Sequence, residues 1–105
     1  MLAADRALLE VFARQVRLVV PSAAVWAFGS RARGTPHPDS DLDLCVVVPE
    51  VTREVREAIY RAAWEIGFER DRLMAPVILT AEDFENGPMS ASTLVAHIRR
   101  DGIAA

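Results

Sequence analysis

Asp41 and Asp43 flank Leu42 at the head of an apolar run that continues to Val48. Side chains alternate along a strand, so the two carboxylates share one face while Leu42 and Leu44 take the other. Their backbones are then roughly 6–7 Å apart. Carboxylates so placed converge on one hard dication, and Mg²⁺ characteristically takes one or two of them along with waters and substrate phosphates. Upstream, Val25 to Phe28 form another short apolar run that ends at Gly29-Ser30. Glycine after a strand permits a tight turn and a close backbone approach to a ligand. If Ser30 opens a short helical turn to Arg33, its N–H groups and hydroxyl form an anion site. A phosphate cradle facing an Asp pair is what metal-assisted transfer from a nucleoside triphosphate requires. Taken singly, a Gly-Ser pair is an ordinary turn and an Asp at a strand start an ordinary turn-closing residue. Their conjunction carries the reading.

The elements that must position these residues follow from periodicity. Residues 3–19 predict an amphipathic helix, with Leu8, Leu9, Phe12, Val16 and Val19 on one side and Arg6, Glu10, Arg14 and Arg17 between them. Pro21-Ser22 ends it. Two strands enclose the signature loop, which contains Gly34, Pro36, His37 and Pro38, and Pro49 stops the second. His37 lies near the Asp pair in sequence and is a minor candidate for substrate contact. Thr52 precedes a second amphipathic helix, with Val55, Ile59, Ala62, Ala63 and Ile66 as its stripe and Gly67 as a left-handed stop. Glu57 and Arg61 have the favourable i,i+4 order. Tyr60 and Trp64 lie one turn apart; Trp64 is expected in the core, whereas an exposed aromatic pair would point to a protein contact.

Leu73 to Leu79 reads as a third strand, and Pro76 within it demands an edge position or a bulge. Thr80 to Asp83 resembles a capping box, so a helical turn follows. Asn86-Gly87-Pro88 breaks the chain, and Ser90 to Arg100 predicts a last short helix with Leu94, Val95 and Ile98 inward, closed by Gly102. His97 on that helix is a structural or surface residue. The order α-β-turn-β-α-β-α implies an α/β (α+β) domain: a small mixed sheet with helices packed on one face and the Asp pair on the uncovered face, beside an open groove.

Composition narrows the function. A chain of 105 residues, 51% of them apolar, is one domain (1–105) with a core but no room for a second unit. A net charge of −3 makes a nucleic-acid backbone a poor partner. All 12 basic residues are arginine, which suits bidentate phosphate or carboxylate contacts but reads first as GC-rich coding. The single cysteine, Cys45, excludes an internal disulfide and a multi-cysteine zinc site, and its apolar setting implies an inert thiol. No basic-then-apolar leader and no membrane-length apolar stretch is evident, which implies a cytoplasmic protein without membrane contact.

Gly29-Ser30, ten intervening residues, then Asp41-Leu42-Asp43 resembles the G-S-x10-D-x-D signature of minimal nucleotidyltransferases in the DNA polymerase beta superfamily. Gly29 to Gly34 (GSRARG) and Ser40-Asp41 match its local flavour, and size and element order extend the resemblance over nearly the whole chain. The resemblance implies that Asp41 and Asp43 ligate Mg²⁺, that Gly29 and Ser30 hold the phosphates of ATP, and that Arg33, and secondarily Arg31, neutralise charge on the leaving group. It also implies a third metal-binding carboxylate on the neighbouring strand. Leu73 to Leu79 contains none; Asp71 is the nearest candidate, ahead of Glu69, Glu82 and Asp83. Small members of this family are the antitoxins of HEPN–MNT modules, and some transfer AMP to a tyrosine of the HEPN partner. The implied function is therefore Mg²⁺-dependent transfer of AMP from ATP to a partner-protein hydroxyl, in a hetero- or homo-oligomer. The alternative is a catalytically degenerate binding module that neutralises or scaffolds a partner by contact.

Overall fold

A computed structural model describes residues 1–34, 40–86 and 92–105. Helix α1 spans Ala3–Val19 and buries Leu8, Leu9, Phe12, Ala13 and Val16, most of the side that the three- and four-residue spacing predicts; Val19, at its last position, is exposed instead. Strand β1 (Ala24–Phe28) leads into the five-residue helix α2 (Gly29–Arg33), and strand β2 (Leu42–Val48) follows. Helix α3 (Arg53–Arg70) starts at Thr52, whose hydroxyl accepts the Val55 N–H at 3.1 Å. Strand β3 (Met74–Thr80) is followed by α4 (Ala81–Glu85), with Thr80 accepting from the Asp83 N–H as the capping sequence predicts. Helix α5 (Thr93–Asp101), capped by Ser92, and the two-residue strand β4 (Ile103–Ala104) complete the described elements. The expected start of the last helix at Ser90 lies outside the described residues, as does His37.

The four strands form one mixed sheet in the order β3-β2-β1-β4. β2 runs antiparallel to β1 and parallel to β3, and β4 adds antiparallel pairing to the other side of β1. Pro76 thus lies in an edge strand, where its missing N–H leaves no gap in a central ladder. The parallel β2–β3 pair needs a long crossover, which α3 provides.

The two long helices pack on one sheet face, against Val25, Ala27, Leu42, Leu44, Val46 and Val48. The opposite face was expected to be bare, and it is not. Cys45, Val47 and Leu79 there pack with Phe84 of α4 and with Val95 and Ile98 of α5. The physical reason is legible in β2: Leu44 to Val48 is apolar at every position, so both faces need cover. Burial pushes the Cys45 thiol up to about 11, which keeps it protonated and inert.

Three local expectations are corrected. Gly67 does not end α3; the helix runs on to Arg70, and Asp71 takes the left-handed capping position at φ 53°. A Cβ on Gly67 would collide with the Arg72 carbonyl, so the glycine admits the returning chain. Glu57 pairs with Arg53 at 3.0 Å, one turn before it, rather than with Arg61. Trp64 is 68% exposed rather than in the core.

Candidate functional site

The site forms where β1 ends and β2 begins. Phe28, the last residue of β1, pairs with Asp43, so the turn into α2 starts directly beside that carboxylate. Gly29 opens α2 at φ +77°, and a Cβ there would lie 2.5 Å from Asp43 Oδ2. Glycine at this position is required twice: by a backbone that L side chains rarely adopt, and by the carboxylate over its α-carbon. The G-S and D-x-D halves of the signature are therefore in direct contact.

Alternation sets Asp43 on the same sheet face as Cys45 and Val47, the face carrying α4 and α5. Their cover is complete at Cys45 and incomplete at Asp43, which is half-buried, as is Asp41. Partial burial raises the Asp43 pKa above its ordinary value, and the neighbouring Asp41 charge raises it further. Among the described residues, neither carboxylate has a hydrogen-bond or ion-pair partner. Two adjacent, mutually repelling, unpartnered carboxylates are a donor set for a hard dication that keeps its remaining positions for water and phosphate oxygens. They are not a complete protein cage: no group of three or more His, Cys, Asp or Glu side chains suited to a metal occurs among the described residues.

The remaining predicted residues divide. Ser30 stands in the first turn of α2 and Arg33 is exposed in its last, before Gly34 caps the helix at φ 78°. Arg31, expected to face phosphate, turns inward and is only 7% exposed. It reaches Asp5 with one terminal nitrogen, at 3.2 and 3.4 Å from the two oxygens, and donates from Nε to the Ser40 carbonyl at 2.8 Å. A guanidinium held this way is a structural tie rather than a surface charge. Asp71 is not brought to the Asp pair. It caps α3 and lines a groove of about 410 Å³ with Trp64, Phe68 and Leu73. The β3 residue paired with Asp43 is Ala75, and the next on the same face is Val77.

Two residues of this region escaped the sequence reading. Asp5 is fully buried, and Arg72 reaches it from just before β3 while Arg31 reaches it from α2. The signal was present: Asp5 falls on the apolar stripe with Leu8, Leu9 and Phe12, and an acid on that face needs a cationic partner. The groove by α3 is a second feature. Trp64 and Phe68 stack with centroids 5.2 Å apart, both largely exposed, and Leu73 beside them is 67% exposed.

Comparison with known proteins agrees with this geometry. No curated protein sequence matches the chain. Among solved structures, a toxin–antitoxin complex with AMP-PNP is similar at 20% identity and TM-score 0.59, over 90% of this chain and 69% of the other. Two mutant structures of the toxin–antitoxin pair MntA–HpeT are similar at 16% and 20% identity. Their TM-scores are 0.56 and 0.62, covering 95% and 100% of this chain and 70% and 72% of theirs. At such identities the likeness is one of fold. The family model described as nucleotidyltransferase domain matches residues 6–100. That match runs from α1 to the last turn of α5 and takes in every element that builds the site, so the chain belongs to the nucleotidyltransferase domain family.

Proposed function

We propose that this chain binds Mg-ATP at the junction of Gly29-Ser30 with Asp41 and Asp43 and transfers AMP to a hydroxyl of a partner protein, acting as the antitoxin of a two-protein module. The observation that carries the reading is the contact of Asp43 with the Gly29 backbone, because it joins a phosphate-binding turn to a metal-binding pair. Asp41 and Asp43 hold the Mg²⁺, which when bound neutralises triphosphate charge and lowers the pKa of an attacking hydroxyl. Gly29 and Ser30 seat the phosphates, and Arg33 meets the charge that develops on the departing pyrophosphate. The acceptor oxygen forms a bond to the α-phosphorus as the bond from that phosphorus to the bridging oxygen breaks. Because β3 offers Ala75 where a third carboxylate would stand, the hydroxyl proton passes to solvent, and turnover is slow.

A protein acceptor fits a site at the ends of the two central strands, where Asp41 and Asp43 stay only half-buried and open to an approaching surface. The exposed Trp64, Phe68 and Leu73 supply an apolar contact surface for it. The three toxin–antitoxin structures among the fold neighbours support this choice, and a HEPN-type partner modified on tyrosine is the specific form proposed. Mg²⁺ dependence and a cytoplasmic setting belong to the same proposal; no helix among the described residues is long and apolar enough to cross a membrane.

A second reading has its own support. On this second reading, the absence of a carboxylate on β3 and the apolar surface on α3 suit a chain that neutralises its partner by contact alone. Asp41→Asn separates the two when the chain is co-expressed with the toxin. Under the transferase reading, the variant loses partner modification and protection together. Protection that survives without modification establishes the contact reading.

A further inference from the structure

We infer that Asp5 and Arg31 are positioning residues that lock the two halves of the nucleotide site together, although neither touches metal or phosphate. The inference rests on the Mg-ATP reading of Asp41 and Asp43. Arg31 follows Ser30 directly, and Ser40 precedes Asp41 directly. One guanidinium therefore spans the signature: its Nε donates to the Ser40 carbonyl at 2.8 Å while its backbone continues the turn that presents Ser30. Eight residues separate these points in sequence, and a tie from one to the other fixes where the backbone delivers Asp41 and Asp43.

Arg31 could not serve this way if it were mobile, and Asp5 prevents that. The Asp5 carboxylate, fully buried in the first turn of α1, accepts from Arg31 and holds the guanidinium plane against the protein. A planar fork with donors in fixed directions suits this double duty, binding a carboxylate on one side and a carbonyl on another. Lysine carries the same charge at a single nitrogen. Arg72 donates to Asp5 Oδ1, the oxygen Arg31 reaches at 3.4 Å, from just before β3, but makes no side-chain bond to the Asp41–Asp43 segment. Arg72 thus shares the ion cluster without sharing the clamp, and it serves as the internal control.

The test compares Arg31→Lys, Asp5→Asn and Arg72→Gln for thermal stability, for MgATP affinity by calorimetry, and for amide hydrogen exchange across residues 40–44. Arg31→Lys is expected to weaken MgATP binding by about tenfold or more, the usual scale for removing a group that orients a ligand-bearing element. Exchange across 40–44 is expected to quicken in the same variant. Arg72→Gln is expected to lose stability while binding MgATP within about twofold of wild type and leaving that exchange unchanged. Should Arg31→Lys fail to fold, Asp5→Asn carries the comparison, since it keeps an acceptor for Arg31 but loses the charge. Equal losses of affinity in the Arg31 and Arg72 variants overturn the clamp. Asp41→Asn guards the underlying reading: if it binds MgATP as wild type does, the metal–nucleotide assignment fails. The exchange data then decide the clamp alone, and equal exchange in the Arg31 and Arg72 variants overturns it.

Discussion

Gly29→Ala is the most informative single substitution in this chain, because two separable effects meet at one α-carbon. The first is conformational. Gly29 sits at φ +77°, where an L residue costs about 1–2 kcal/mol. The second is steric. The new Cβ would stand 2.5 Å from Asp43 Oδ2, whereas carbon–oxygen contacts settle near about 3.3 Å, so the carboxylate must retreat by roughly 0.8 Å. Moving a short side chain off its rotamer costs about 0.5–1.5 kcal/mol. Alanine also narrows the unfolded ensemble, which offsets about 0.4–1 kcal/mol. The net destabilisation is about 1–2.5 kcal/mol, and at about 4–8 °C per kcal/mol the melting temperature falls by on the order of 10 °C. The double variant Gly29→Ala/Asp43→Ala isolates the steric part. The Asp43 Cβ lies 3.6 Å from the added methyl, an ordinary contact, so only the backbone strain remains. A double-mutant cycle read by thermal and urea melts should therefore show a coupling of about 0.5–1.5 kcal/mol. Additive effects, or a Gly29→Ala melting temperature within about 2 °C of wild type, would refute the contact between the two halves of the site.

Other consequences follow from the same geometry. Because Asp43 titrates above its unfolded value of about 3.9, the folded chain holds the extra proton between those two pKa values, and stability declines as pH rises through that window. Asp43→Asn should therefore melt higher than wild type at pH 7, the gap closing toward about pH 4, and added MgCl₂ should stabilise wild type only. A variant that melts lower at pH 7 would show that the carboxylate is not strained by burial and by Asp41. Trp64→Ser/Phe68→Ser removes exposed, stacked rings, so stability should change by no more than about 1.5 kcal/mol. The complex with the partner protein should weaken by about 2 kcal/mol or more, read by calorimetry; unchanged affinity would place the contact elsewhere.

Much of this architecture was legible because particular residues leave little choice. The apolar spacing of α1, the Thr52 and Thr80 caps, and Pro76 as the mark of an edge strand all act locally, so sequence carries them. The Gly29 and Asp43 pairing was legible as spacing, although sequence could not show that the carboxylate rests on the glycine. What escaped depends on distant partners. Arg31 looks like a phosphate ligand beside Ser30, and only the arrival of Asp5 from α1 turns it inward. Trp64 looks like core because it is large and apolar, yet α3 already fills its buried side with Ile59, Ala63 and Ile66. Gly67 resembles a helix stop, but the close return of Arg72 requires the missing side chain there instead. β4 spans only two residues, too few for any periodic signal. Asp71 was the nearest acid in sequence, and the crossover geometry leaves it at the end of α3 while Ala75 faces the pair.

The central claim is transfer of AMP by the Asp41–Asp43 site, and intact mass spectrometry of the partner protein tests it most directly. The protein encoded next to this chain, as the proposed partner, is incubated with the chain, ATP and Mg²⁺, and its mass is compared with that from a reaction containing Asp43→Asn. The account predicts a gain in steps of one AMP with the wild-type chain and none with the variant. An unchanged mass in both reactions, with the two proteins in a stable complex, would contradict it and leave a nucleotidyltransferase fold that acts by contact.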